Sequence, residues 1–399
     1  MRRLSFLVLA FFLFSAIPAA FADDAMTVAT ATVDKGFDYL KAQQKPDHGW
    51  QSDIDPPGIT ALALKSFMED DRYDADMPFL DKGFDKLLGY QLASGGIYQD
   101  MLANYNTAIS ISALAVSKEP QYKPAIAKAL AYLRSLQWSD RIEGVPDQLK
   151  VAQSDPRYGG FGYGKRGRPD MSNTQWALEA LHEAGVPPSD PAFQAALKFA
   201  SRCQNLSETN DRKWAGDDGG FVYLDTGQEG SNPAGEYTGP DGRTLFRSYG
   251  SMTYAGLKSM IYAGLTHDDP RVKAAWGWIG KNYSVDENAG MAQAGPQNAK
   301  GGLYYYYYTM AKALSAYGEP IITDVNGQKH DWRVELAAKL AAIQRPDGSF
   351  VGERKWMEDN PVLVTSYAAL ALEEIRQDLK AHPADKLSVE IRSTTGVKR

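Results

Sequence analysis

The sequence predicts an all-α protein that folds as a closed (α/α)6 toroid, with six helical hairpins forming an inner and an outer ring. Three observations predict it: a Gln–Gly–Thr pattern that occurs six times, alternating amphipathic and fully apolar segments, and first and last units that do not look like polar capping repeats. A pattern that recurs every few tens of residues determines a fold more strongly than local propensity does. An open solenoid would need polar capping repeats at its ends.

Each repeat closes one helical segment with Gln or a substitute, passes through a Gly-containing loop, and opens the next segment at a Thr. The closing residues are Gln44, Gln91, Gln137, Gln204, Tyr283 and Gln344. The Thr residues are Thr60, Thr107, Thr174, Thr253, Thr309 and Thr365. Because Thr is a good N-cap, we expect these residues to cap the inner helices.

The two segments of a repeat differ in their apolar pattern. The first segment carries charge on one face, as Lys35, Asp38 and Lys41 do in the first unit. The second is apolar nearly all round, as at 60–64 and 365–372. An amphipathic helix has one wet side, whereas a helix that is apolar all round is buried. The alternation therefore predicts six outer and six inner helices.

Two insertions indicate which face of the ring is the binding face. The Gln-to-Thr interval is 16 residues in the first unit (44 to 60) and 49 in the fourth (204 to 253). The longest insertions are 138–173 and 205–252. Insertions in a repeat array fall on one face, which is often the binding face. We expect them to build the mouth of the ring, where the inner helices begin.

The N-terminal segment has the pattern of a signal peptide. Arg2 and Arg3 precede an apolar run over 4–17, and Ala20-Phe21-Ala22 fits a cleavage site. This run is shorter than the roughly 20 residues that a spanning helix needs. We therefore predict a signal peptide over 1–22 and export to the periplasm, the cell envelope or the medium.

Composition limits the remaining chain. The 399 residues carry a net charge of -6, which disfavours the basic surface that nucleic acid requires. Cys203 is the one cysteine, so an exported chain must be stable without a disulfide. No segment predicts a membrane span. We expect the toroid to cover 23–378 and a polar tail to cover 379–399.

The first repeat resembles a known family. Lys35-Gly36-x-x-Tyr39-Leu40-x-x-x-Gln44, followed by Gly49-Trp50, is similar to the Gln-Trp repeat of squalene–hopene cyclases and protein prenyltransferase β subunits. The Gly-Gly-Phe loop and Thr-x-x-Ala-Leu helix at 159–178 look like the same superfamily, and the resemblance covers about residues 33–375. It implies a terpenoid cyclase-like toroid with an isoprenoid cavity, in which each Gln is a clasp between units.

The resemblance identifies one catalytic candidate. Squalene cyclases begin an inner helix with Asp-x-Asp-Asp-Thr, whose middle Asp protonates an alkene. Asp170-Met171-Ser172-Asn173-Thr174 aligns with that motif, but Ser172 and Asn173 replace its two later carboxylates. Because the reaction needs an acid strengthened by its partners, Asp170 alone does not complete the site. The alternative is that Asp170 interacts with the helix dipole.

No metal or cofactor is predicted. Protein prenyltransferases hold zinc with Asp, Cys and His, but here Cys203 closes an outer-type helix. The five His residues, His48, His182, His267, His330 and His382, have no metal-ligand spacing.

Aromatic residues at the starts of the inner helices predict a central cavity. Five Tyr residues, Tyr304–Tyr308, lead into Thr309, and at least two of them must face the interior of the ring. The predicted ligand-binding residues are Tyr105, Trp176, Tyr249, Tyr304, Tyr305, Tyr306 and Tyr308. Aromatic rings can hold an isoprenoid or stack on sugars, and core packing is the alternative.

Three functions remain open. One is an isoprenoid enzyme of the cyclase or transferase kind. Another is a non-catalytic toroid that binds a small apolar or carbohydrate ligand or a protein. The last is a glycan lyase or hydrolase, which needs a carboxylate pair from among Asp170, Glu179, Asp217 and Asp218. Glu179 and His182 also form a possible acid–base pair. Sequence leaves catalysis, ligand identity and oligomeric state open.

Overall fold

The structure, a computed structural model, describes residues 21–50, 57–165, 167–224 and 232–383. Within these ranges the chain forms twelve α-helices and two short antiparallel hairpins. The helices are α1 (Phe21–Gln43), α2 (Gly58–Met68), α3 (Pro78–Leu88), α4 (Ala103–Val116), α5 (Lys123–Arg134), α6 (Met171–Glu183), α7 (Pro191–Arg202), α8 (Gly250–Tyr262), α9 (Pro270–Asn282), α10 (Leu303–Tyr317), α11 (Trp332–Ile343) and α12 (Pro361–Ala381). The hairpins pair β1 (Glu236–Thr238) with β2 (Thr244–Phe246) and β3 (Ile321–Thr323) with β4 (Lys329–Asp331).

The even-numbered helices form a closed inner ring. Each packs against the next, and α12 packs against α2. Helix α1 contacts both α11 and α12, which closes the outer ring. Every residue of α2 except Met68 is buried, whereas α3 buries one stripe: Leu80, Gly83, Phe84 and Leu87. The predicted toroid is confirmed.

The Gln residues fasten neighbouring units, as the resemblance implied. The side-chain amide of Gln137 donates to the carbonyl of Gly159 at 2.8 Å and to that of Ala192, in the next outer helix, at 2.9 Å. The same pair of bonds is made by Gln44, Gln91, Gln204 and Gln344. Gln344 closes the ring, since its second bond is to Thr32 in α1.

The predicted capping role of the Thr residues is wrong. Helix α6 begins at Met171, and its N-cap is Asp170 rather than Thr174. The Oγ1 of Thr174 instead accepts a hydrogen bond from the backbone N–H of Phe161 at 3.0 Å. Equivalent bonds join Thr60 to Trp50, Thr107 to Ile97, Thr253 to Phe221 and Thr365 to Phe350. Thr therefore fixes the apolar loop residue against the inner helix.

Glycine is required where these loops approach the next outer helix. Gly159 has φ +87°, and a Cβ there would lie 1.8 Å from the carbonyl oxygen of Ala195 in α7. The loop can therefore reach α7 only without a side chain at this position.

The predicted domain bounds stay a prediction. Helix α12 runs to Ala381, and its buried Asp378 pairs with Arg333 of α11 at 3.1 Å. The predicted signal peptide lies outside the described residues except for Phe21 and Ala22, which begin α1. Of the predicted tail, residues 384–399 also lie outside them. Among the described helices, none is long and apolar enough to cross a membrane.

Candidate functional site

Aromatic side chains from four inner helices meet at the ring axis. We call Tyr105, Trp176, Tyr305, Tyr308 and Tyr367 the aromatic recess. The Trp176 ring lies edge-on to Tyr105 at 5.5 Å and stacks on Tyr308 at 5.2 Å between centroids. Tyr105 and Tyr305 are partly exposed, whereas the other three are buried. Packed rings therefore occupy the axis beneath two accessible tyrosines.

Polar groups border the accessible rings. The hydroxyl of Tyr305 lies 3.1 Å from Ser172 Oγ and accepts a hydrogen bond from Gln175 Nε2 at 3.0 Å. Tyr105 and Tyr367 are joined hydroxyl to hydroxyl. The Oε1 of Gln175 is buried and has no hydrogen-bond partner in the described structure. The recess thus combines aromatic faces with one unused acceptor.

Asp170 caps α6. Its Oδ1 accepts from the backbone N–H of Asn173 at 2.7 Å, and its Oδ2 accepts from the Asn173 side-chain amide at 2.8 Å. Burial raises the pKa of Asp170 to about 7, against the opposing effect of hydrogen bonds from Asn173 and Tyr223. Such a carboxyl is a weaker acid than a free one, whereas protonation of an alkene requires a stronger acid.

Sequence reasoning missed two tyrosines beside Asp170. Tyr163 and Tyr223 lie 3.0 Å apart hydroxyl to hydroxyl, and they come from the third- and fourth-unit insertions. Tyr163 is 46% exposed. Both follow a Gly-Gly-Phe loop by two residues, which is the signal that could have found them.

The Tyr run divides between the recess and neighbouring loops. Tyr305 and Tyr308 join the recess, because residues three apart share a helix face. The other hydroxyls donate to backbone carbonyls: Tyr304 to Val351, Tyr306 to Ser284 and Tyr307 to Val285. Tyr249 is buried at the N-cap position of α8. The expected interior pair is present, while the ligand-binding role of these residues stays a prediction.

A carboxylate from the sixth unit holds the start of α10. Glu358 accepts hydrogen bonds from the backbone N–H groups of Leu303 at 3.1 Å, Tyr304 at 2.8 Å and Tyr305 at 3.2 Å. Burial raises the pKa of Glu358 to about 7 in spite of these donors. Glu358 thereby sets the position of the helix that supplies Tyr305 and Tyr308.

A buried charged layer lies against the recess. It consists of Lys65, Glu69, Glu179, Glu183, Lys258, Lys312 and Glu374. Lys65 Nζ is 2.5 Å from Glu179 Oε1, Lys258 pairs with the other oxygen, and all three side chains are fully buried. Burial opposes ionisation, but the Lys258 and Lys65 ammonium groups hold the pKa of Glu179 well below its usual range. Lys312 lies 3.2 Å from Glu69 and also pairs with Glu183 and Glu374.

The other candidate carboxylates do not form the expected pairs. Glu179 bonds to the lysines, while the His182 ring stacks on Tyr262 at 3.8 Å between centroids. Asp217 accepts from Ser207, and Asp218 accepts from Ser248 at 2.7 Å. Each candidate therefore serves a different local network. In the described ranges, no group of three or more His, Cys, Asp or Glu residues could hold a metal ion.

No family profile and no curated protein matches the sequence. Solved structures do share the fold. A type II terpene cyclase from Scytonema, in complex with merosterolic acid A, has a TM-score of 0.56 and 13% identity over 90% of this chain and 99% of that chain.

Two carbohydrate enzymes are similar to the same extent. An unsaturated glucuronyl hydrolase specific for heparin has a TM-score of 0.54 and 12% identity over 90% of this chain and 98% of that chain. An alpha-amylase from Clostridium perfringens has a TM-score of 0.51 and 13% identity over 86% and 97%. At such identities the likeness establishes the α/α toroid fold, and function must be argued from the site.

Proposed function

We propose that this protein is an exported toroid that binds an isoprenoid-like ligand in the aromatic recess and does not start a cyclisation through Asp170. The observation that carries the proposal is the partial exposure of Tyr105 and Tyr305 above buried Trp176. Partly exposed aromatic rings offer the apolar faces that small-molecule sites use. The signal-peptide pattern over 1–22 supports export.

The polar groups suggest which end of the ligand is recognised. The hydroxyls of Ser172 and Tyr305 lie 3.1 Å apart, and both residues are partly exposed. A hydroxyl both donates and accepts hydrogen bonds, so this pair can bind a hydroxyl group of a guest. The expected ligand therefore has an apolar body and a hydroxyl group, as a prenyl alcohol or a prenylated phenol does.

The Asp170 site supports binding more than acid catalysis. Both oxygens of Asp170 accept hydrogen bonds from Asn173. Ser172 stands where the cyclase motif has its proton-donating Asp, and it bonds to Tyr305 instead. The fold shared with a terpene cyclase is compatible with an apolar ligand. It does not replace the proton-donating carboxyl group that the cyclase motif has at the position of Ser172.

Titration with geranylgeraniol tests the proposal. We expect binding to the wild-type protein, a loss of about tenfold or more for Tyr305→Ala, and no change for Tyr237→Ala, a partly exposed tyrosine on β1. After incubation with the protein, squalene and geranylgeraniol should both be recovered chemically unchanged. Equal binding by all three proteins would refute the recess as the site, and a cyclic product from wild type would refute the non-catalytic assignment.

A carbohydrate ligand is the second candidate. Two hydroxyl pairs, Tyr163–Tyr223 and Tyr105–Tyr367, suit a guest that is rich in hydroxyl groups. Two of the similar folds belong to carbohydrate enzymes. A titration with maltotriose separates the two candidates. The carbohydrate candidate is favoured if maltotriose binds, if Tyr305→Ala abolishes that binding, and if geranylgeraniol does not bind.

A further inference from the structure

Three carboxylates of the charged layer share one ammonium group. Lys312 of α10 lies 3.2 Å from Glu69 of α2 and 3.4 Å from Glu183 of α6, and it also pairs with Glu374 of α12. Glu183 has a second lysine partner, Lys65 at 2.9 Å. The side chains of the three glutamates are at most 13% exposed. We call Glu69, Glu183 and Glu374 the carboxylate trio.

The charged layer has one carboxylate more than it has ammonium groups. Lys65 and Lys258 both pair with Glu179, whereas Lys312 is the ammonium group that every member of the trio contacts. The negative charge in excess therefore lies at the trio. An unpaired charge in a buried site is unfavourable, so we expect the trio to take up a positive charge. Because Lys312 Nζ already lies between the carboxylates, a proton is the cation that fits.

Other titratable side chains that face the layer do not supply this charge. Burial raises the pKa of the Tyr262 and Tyr308 hydroxyls well above their ordinary value. Partial burial lowers the pKa of the His182 imidazole, which stacks on Tyr262. All three side chains are therefore neutral at about pH 7.

The contacts within the trio indicate which carboxylate carries the proton. Glu69 accepts a hydrogen bond from Gln377 Nε2 at 3.2 Å in addition to its contact with Lys312. Among the described residues, Lys312 is the one polar partner of Glu374. Burial raises the pKa of Glu374, against the opposing effect of the Lys312 ammonium. Glu183 Oε2 is buried without a hydrogen-bond partner in the described structure, so the trio also lacks a donor, which a protonated carboxyl supplies.

Glu374 and Glu69 lie on opposite sides of the contact that closes the inner ring. This contact, which we call the closing seam, joins α12 to α2. Arg376 Nη1 pairs with Asp70 across it at 2.7 Å, and Gln377 Nε2 donates to the backbone carbonyl of Glu69 at 2.9 Å. When Glu374 and Glu69 are both ionised, like charges repel each other across the seam. Protonation of Glu374 removes this repulsion.

We propose that the carboxylate trio holds one proton at neutral pH and that this proton keeps α12 closed on α2, so that the closing seam is a pH-sensitive switch. The pKa of Glu374 is raised from 4.5 on folding. Its contribution to stability is therefore complete below about pH 4.5 and is lost as the pH rises through the folded-state pKa. This proposal does not depend on the ligand in the recess.

The number of protons released on unfolding tests whether the trio holds a proton. This number follows from the slope of unfolding free energy against pH, measured by denaturant unfolding around about pH 7. Glu374→Gln replaces a protonated carboxyl with an amide of similar shape, so we expect it to release about one proton fewer than wild type. Glu69→Gln also leaves the trio with two carboxylates and should give the same decrease. Glu143→Gln, at an exposed position outside the layer, should release as many protons as wild type.

Hydrogen–deuterium exchange tests the effect of the proton on the closing seam. At about pH 9 the amides of α12 and α2 should exchange faster in wild type than in Glu374→Gln, whereas at about pH 6 the two proteins should exchange alike. Helix α5, which supplies no residue to the layer, should exchange alike at both values. Equal proton release by wild type and both trio variants would overturn the bound proton. A decrease in proton release without a difference in exchange at the seam would overturn the switch.

Discussion

The hydroxyl of Tyr308 donates a hydrogen bond to the Glu179 carboxylate, and this bond joins the aromatic recess to the charged layer. Glu179 follows Trp176 by three residues on α6, so the two side chains lie on the same helix face. Because Glu179 is itself held by Lys65 and Lys258, ion pairs from α2 and α8 fix the floor of the recess.

Replacement of Glu179 should destabilise the protein strongly. Glu179→Gln leaves the Lys258 ammonium buried without its carboxylate, and breaking a buried pair in this way costs about 3–5 kcal/mol. Denaturant unfolding measures the loss. The double variant Glu179→Gln with Lys258→Met should recover part of it, because it removes the unpaired charge. A double variant no more stable than Glu179→Gln would contradict the role assigned to this pair.

Adjacent tyrosines of α10 should respond differently to truncation. Tyr306 is fully buried and bonds to Ser284, so Tyr306→Ala should cost about 3–5 kcal/mol. Tyr305 is partly exposed, so Tyr305→Ala should cost less and should weaken ligand binding instead. Thermal unfolding and the geranylgeraniol titration measure the two effects. Similar destabilisation by both changes would mean that Tyr305 is a core residue.

Asp170 should make stability depend on pH. Its pKa is raised from 3.8 to about 7 on folding, so its carboxyl favours the folded state when it is protonated. This contribution is present in full below about pH 4 and is lost as the pH rises towards 7. Asp170→Asn should therefore show a shallower fall in unfolding free energy from pH 4 to 7, measured by denaturant unfolding. An unchanged slope would show that the carboxyl ionises normally.

Replacement of a clasp Gln should cost more stability than replacement of an exposed Gln, because each clasp amide donates to two backbone carbonyls. Gln137→Ala leaves two carbonyls, of Gly159 and Ala192, without their donor, which should cost at least about 2 kcal/mol. Gln194→Ala is the matched control, since this exposed amide bonds only to Pro188. Denaturant unfolding of both variants gives the comparison. Equal losses would rule out a special role for the clasp.

The sequence predicts the hairpins well because Gln makes main-chain contacts at fixed places in five of the six units. It does not predict the helix starts, because Asp170 caps α6 while Thr174 serves the preceding loop. Which tyrosines face the axis depends on where α10 begins. That start is held by Glu358 from another unit, which no local pattern reveals.

The charged layer was also missed, for a different reason. Lys65 and Lys258 are each the only charged residue of their helix, and Glu179 is flanked by apolar residues in α6, so each looks like a local exception. All three lie five residues after the Thr of their repeat. Only this shared register places them at one level of the ring, where charges from distant parts of the chain can neutralise one another.

The fifth joint of the ring is built without an amide. Tyr283 takes the place of Gln and packs against His330, with ring centroids 4.9 Å apart. An aromatic contact is worth less than two buried hydrogen bonds at this position, so α9 and α11 should separate before any other outer pair. Separation there would open the outer ring alone, because α10 stays packed against both α8 and α12 in the inner ring.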